Sequence, residues 1–217
     1  MFSGFTKESS DFFWELVFNN DRAWLHEHKE PFEALLNTPL KELAKETCSI
    51  MEQRFPEMRP KVHVSRIWRD SRRLFGRPPL KESMWFDLRN AESTGEAAAF
   101  YFEIKPAVWG CGMGLWCPKA EQMEHFRAGI DANPAAFERL ATEIEKLEGY
   151  TVDGPSYSRK KGGYEGVVDS WYNRRWVSVS HEEDFGGAII SKDLPLILAD
   201  DFSALMPMYN FLLQHCS

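Results

Sequence analysis

The chain has 217 residues, 43% of them hydrophobic, with eight Trp, sixteen Phe and a formal net charge of −7. That composition supports a packed core and excludes intrinsic disorder. A pI near 5.5 excludes a general nucleic-acid-binding domain, whose charge is basic overall.

Further classes fall away on local grounds. The N-terminal stretch MFSGFTKESSDFFWEL lacks the basic and apolar regions of a signal peptide. No apolar stretch approaches the roughly 20 residues that cross a bilayer, so no membrane contact is expected. The expected compartment is the cytoplasm. The four cysteines, Cys48, Cys111, Cys117 and Cys216, form no CxxC and have no His at zinc-ligand spacing. They read as reduced, mostly buried thiols, and no metal is expected.

In chain order, SSDFFWELVFN from residue 9 to 19 predicts a helix capped at Ser9 or Ser10, with Phe12, Phe13, Leu16 and Val17 at helical spacing. NND at 19–21 is turn and cap chemistry. A second helix carries Trp24, His28, Phe32, Leu35 and Leu36, with Pro31 expected to kink or divide it. A third starts at Thr38-Pro39 and shows Leu40, Leu43, Ala44, Thr47 and Ile50 on one stripe. After RFPEMRPK the period changes. VHVSRIW, SMWFDLR, AAFYFEIKP and WGCGMGLWC predict four strands of a largely antiparallel sheet. Two helices are predicted over about 119–131 and 134–147, divided at Asn133-Pro134. A Gly-rich stretch from 149 to 166 leads to a strand, RRWVSVSH, and the chain closes on a helix carrying Leu198, Phe202, Leu205, Tyr209 and Leu212. Helices first, strands grouped and helices last predict an α+β fold in a single domain over 1–217.

Several segments resemble one family. GFTKESSDFFWELVFNNDRAWLHEHKEPFE at 4–33 is similar to its opening: Gly-Phe, an aromatic helix, Asn-Asn-x-Arg-x-Trp and a His-Lys pair. RIWRDSRRLFGRPPLK at 66–81 resembles its central motif, Arg-Ile-x-Arg-Asp-x-Arg with a basic Pro-x-Lys ending. FYFEI, GCGMGLW and Trp171 to Val177 resemble its later motifs. The family is domain of unknown function 2461, conserved hypothetical proteins found widely in bacteria. Arg69, Asp70, Arg72, Arg77, Pro79 and Lys81 match its pattern. Between Arg72 and Arg77 this chain has Arg73, Leu74, Phe75 and Gly76 where the family usually reads Phe-Ser-Lys-Asp, and Leu80 replaces its usual Tyr. The resemblance implies no known reaction.

The chemistry therefore has to be read from the residues. Residues 61–81 hold seven Lys/Arg and one Asp, a local net of +6 that leaves −13 for the rest. Guanidinium groups stay charged and bind phosphate or carboxylate bidentately, so Arg66, Arg69, Arg72, Arg77 and Lys81 form a candidate anion site. The competing reading is a set of structural ion pairs with the surplus acids. Gly110, Gly112 and Gly114 leave one strand face bare. They are either the floor of a pocket, which makes Gly112 and Gly114 candidate ligand contacts, or the strip on which a helix packs closely. Glu103, Asp70 and His63 are the candidate acids or bases, and Glu103 and Asp70 are also candidates to orient the arginines. His28 reads as a core histidine. A second basic group, RKKGGY at 159–164 with Arg174 and Arg175, lies among Tyr157, Trp171, Tyr172 and Trp176. It reads either as a solvated loop or as a phosphate clamp.

The sequence thus predicts a protein, enzyme or binder, for a small phosphorylated or carboxylated molecule. The alternative is an interaction module whose basic face docks an acidic protein or single-stranded nucleic acid. No cofactor motif is present, and the sequence decides neither oligomeric state nor whether a reaction is catalysed.

Overall fold

A computed structural model describes residues 1–93 and 97–216, the Arg73 side chain excepted. The element order is α1 (Lys7–Asn19), α2 (Arg22–Glu27), α3 (Lys29–Phe32), a π-helical turn (Glu33–Asn37), α4 (Thr38–Arg54), β1 (Pro60–Val64), β2 (Met84–Asn90), β3 (Ala99–Ile104) and β4 (Val108–Leu115). There follow α5 (Ala120–Ala132), α6 (Pro134–Glu145), β5 (Tyr150–Asp153), α7 (Gly166–Tyr172), β6 (Val177–Asp184) and α8 (Leu194–Cys216). The strands form one antiparallel sheet in the order β1-β2-β3-β4-β6-β5. The fold is α+β, with six strands rather than the four grouped ones and the single later one that the sequence predicts.

By chain contacts the molecule divides into two compact units. The first comprises residues 1–88, 101–110 and 183–200, and the second 89–100, 111–182 and 201–217.

In the first unit, α1 is capped by Thr6 rather than Ser9 or Ser10. Thr6 Oγ1 accepts from the Ser9 amide at 3.3 Å and Ser9 Oγ accepts from the Thr6 amide at 3.1 Å, so each satisfies an otherwise orphaned donor. Phe12, Phe13 and Leu16 then fall on the buried face. Full burial of one such side chain stabilises by about 1.5–3 kcal/mol. Asp21 caps α2 through the amides of Ala23 (2.7 Å) and Trp24 (3.2 Å). The predicted second helix breaks at His28, which is the C-cap of α2 and the N-cap of α3. The Pro31 ring clashes with the carbonyl four residues earlier, at Glu27, and this is the physical reason for the break. His28 is half-buried, stacked on Trp24 with ring centroids 4.2 Å apart. On β2, Met84, Phe86 and Leu88 point into the core, and Phe102 of β3 lies between Phe86 and Phe5, 5.5 and 6.4 Å away.

In the second unit Phe100 stacks on Phe202 and Tyr209, with centroids at 5.0 and 4.6 Å. Phe126 of α5, Phe137 of α6 and Trp171 of α7 pack edge to face in a chain. β5 pairs antiparallel with β6, Tyr150 opposite His181 and Asp153 opposite Ser178. By length and composition alone the 23-residue α8 is long and apolar enough to cross a membrane, although Asp200 and Asp201 interrupt its apolar run. Its Phe202, Leu205, Met208, Tyr209 and Leu212 are buried in the protein.

Candidate functional site

The arginine motif does not continue β1. Past Val64 the chain runs to Trp68, loops out through a short 3-10 turn at Ser71–Arg73, and returns so that Trp68 bridges Leu80 antiparallel. The Arg69 amide donates to the Pro79 carbonyl and the Lys81 amide to the Ile67 carbonyl, both at 2.8 Å. Asn20 clamps the returning strand on both sides: its Oδ1 accepts from the Leu80 amide (2.8 Å), and its Nδ2 donates to the Leu80 carbonyl (3.2 Å). Arg69 Nε donates to that same carbonyl at 2.9 Å. Leu80, fully buried, anchors the whole arrangement. One peptide therefore fixes both the Arg69 guanidinium and the start of the Lys81 side chain.

These two cations line an open groove of about 510 Å³ with Trp14, Val17, Glu82, Ser83 and the turn Lys105–Val108. Glu82 lies 3.5 Å from Arg69 and Glu103 lies 3.5 Å from Lys105. Lys81 forms no ion pair with any described residue and sits over the Trp85 ring, 5.5 Å from its centroid. Partial burial, and then the neighbouring Arg69 charge, hold its ammonium below the ordinary lysine pKa.

The other sequence candidates are dispersed. Arg72 is exposed and held bidentately by Asp70, at 3.0 and 2.9 Å, while Asp70 also caps the turn through the Arg72 amide. Asp70 thus orients Arg72. The ion pair of Glu103 is with Lys105, and Glu82 takes the place expected for Glu103 beside an arginine. Arg66 and Arg77 are exposed, and Arg77 Nε reaches the Leu74 carbonyl at 3.4 Å. The Arg73 side chain lies outside the described residues. Gly112 and Gly114 belong to the second unit. A Cβ on Gly112 would lie 2.1 Å from the Val179 carbonyl oxygen, and one on Gly114 would lie 2.9 Å from that of Val177. The bare glycine face therefore seats the β6 backbone.

His63 Nδ1 lies 3.2 Å from Oδ2 of Asp87, whose carboxylate is buried, and its ring meets Trp85 edge to face at 5.3 Å. Trp85 is thus flanked by His63 and Lys81. Sequence reasoning missed Asp87, Lys105 and Trp14. The alternation Trp85-x-Asp87 in a predicted strand puts those two on one face and is the signal that was available for Asp87. Among the described residues no three His, Cys, Asp or Glu side chains assemble as a metal set.

Two smaller hollows lie on either side of Trp68. One, of about 300 Å³, is lined by Arg22, Trp68, Arg69 and Ser71. The next, of about 440 Å³, shares Arg22 and Trp68 and adds Leu25, His26, Lys29, Phe32 and Glu33.

No curated protein matches the chain. The family model described as a conserved hypothetical protein, DUF2461, matches residues 8–211 of the 217, and the chain belongs to that family.

Proposed function

We propose that the groove at Arg69 and Lys81 binds a small anionic molecule, phosphorylated or carboxylated. The observation that carries this reading is Lys81: a partly buried ammonium with no carboxylate partner among the described residues, held beside a second cation. Glu82 offsets the Arg69 charge from 3.5 Å away, which leaves the partly desolvated Lys81 ammonium for a bound anion to offset. Arg69 is pre-positioned by the Leu80 carbonyl and Glu82, so little side-chain entropy remains to be lost on binding.

A thermal-shift screen at low salt against inorganic phosphate, sugar phosphates and dicarboxylates tests it, with Lys81→Ala beside the parent. A ligand at 100 times its Kd adds about 2.7 kcal/mol. For a chain of this size that is a rise of about 5–11 °C. The expected result is a shift confined to one ligand class and lost in the variant.

One observation favours a second reading. Trp68 is 41% exposed between two hollows that carry Arg22, His26, Lys29 and Arg69. A cationic furrow with an exposed indole suits a single-stranded polyanion, whose binding would weaken steeply with salt. A salt titration with an oligonucleotide separates the two.

A further inference from the structure

The second unit carries another group of cations, gathered around one aromatic ring. The Tyr157 ring is approached by Lys161 Nζ at 4.7 Å and by the guanidinium carbons of Arg127 and Arg175, each at 5.8 Å from the ring centroid. None of the three forms an ion pair with any described residue. Of their neighbours, Lys160 pairs with Asp169 at 2.8 Å, and Arg174 Nη1 donates to the Gly154 carbonyl at 2.7 Å while its buried Nε has no partner among the described residues.

Arg127 is the decisive member. Its side chain is on the buried face of α5, the residue is only 9% exposed, and Nη1 has no hydrogen-bond acceptor among the described residues. A carboxylate stands one turn further along the same helix, at Asp131. That carboxylate instead accepts the hydroxyls of Tyr164 (2.7 Å) and Tyr172 (3.0 Å). A buried, permanently charged guanidinium with an unused N–H is unfavourable by itself, and a bound anion that accepts from it offsets part of that penalty.

We propose that Arg127, Lys161 and Arg175 around Tyr157 form a binding site for a phosphate group, free or as a phosphomonoester. Three converging cations match a phosphate, whose charge is about −1.5 to −2 at neutral pH, better than a singly charged carboxylate. Its several oxygens supply an acceptor for each side chain, with Arg127 as the buried donor and Lys161 and Arg175 as the exposed arms. The site is independent of the groove in the first unit.

The test is a calorimetric titration at low salt in a Lys81→Ala parent, which removes the groove of the first unit from the measurement. Inorganic phosphate is one probe and glycerol 3-phosphate the other. The parent binds at least one of them saturably, and Lys161→Ala and Arg175→Ala each weaken that binding about tenfold or more. Both substituted residues are exposed, so circular dichroism of the variants matches the parent. Tighter binding of glycerol 3-phosphate assigns a phosphomonoester, and tighter binding of inorganic phosphate assigns the free ion. Absence of binding in the parent, or unchanged affinity in both variants, overturns the site.

Discussion

At the scale of single residues, Lys81 and Asn20 carry the account. Burial and the Arg69 charge depress the Lys81 pKa, so between its folded value and the ordinary lysine value the unfolded chain binds more protons than the folded one. Stability linked to this group therefore rises with pH across that window, and an anion bound beside Lys81 opposes the trend by drawing its proton back. Affinity for the anion is expected to fall as pH rises through the folded pKa, and Lys81→Met abolishes that dependence. Titration calorimetry across the alkaline range checks both. Asn20→Ala removes both hydrogen bonds to the Leu80 peptide. At about 0.5–1.5 kcal/mol each, less any water that replaces them, urea unfolding should show a loss of about 1–2 kcal/mol. The groove affinity should fall with it, because that peptide also sets Arg69. These roles were only partly legible. Charge density drew attention to 66–81, but which cations share a groove depends on the Trp68–Leu80 bridge, a pairing no local pattern announces.

Elements read well where burial imposes a period and badly where it does not. Phe12, Phe13 and Leu16 mark α1, and Leu40, Leu43, Ala44 and Thr47 mark α4, because each helix buries one stripe. The short β5 was hidden in a Gly-rich stretch, since an edge strand of four residues with one exposed and three half-buried positions shows no alternation. α7, at seven residues, is too short for helical spacing to stand out. The glycine strip is legible as a place of close approach, but its neighbour is the β6 backbone and not the helix expected from the sequence. Gly112→Ala must push that backbone aside and is expected to destabilise by about 1–3 kcal/mol or more. At about 2–4 °C per kcal/mol its melting temperature drops measurably. Gly114→Ala, with its nearest contact at 2.9 Å instead of 2.1 Å, is expected to lose less; the reverse order in thermal melts would contradict this packing. Thr6→Ala removes the α1 cap and should cost about 0.5–2 kcal/mol in the same assay.

For the whole molecule, the −7 net charge hides two concentrations of positive charge, one in each compact unit. Each contains a lysine or arginine that no carboxylate among the described residues answers: Lys81 in the first, Arg127 in the second. The α+β class was readable from the order of helical and strand periods, and membership of DUF2461 from the motifs at the opening and centre of the chain. The most direct measurement is calorimetry of inorganic phosphate and of succinate at low salt, in a Lys161→Ala background that removes the second cluster. Saturable binding of one of them, weakened about tenfold or more by adding Lys81→Met, is the predicted result. Equal affinity in both proteins, or binding of neither probe, would contradict an anion groove at Arg69 and Lys81.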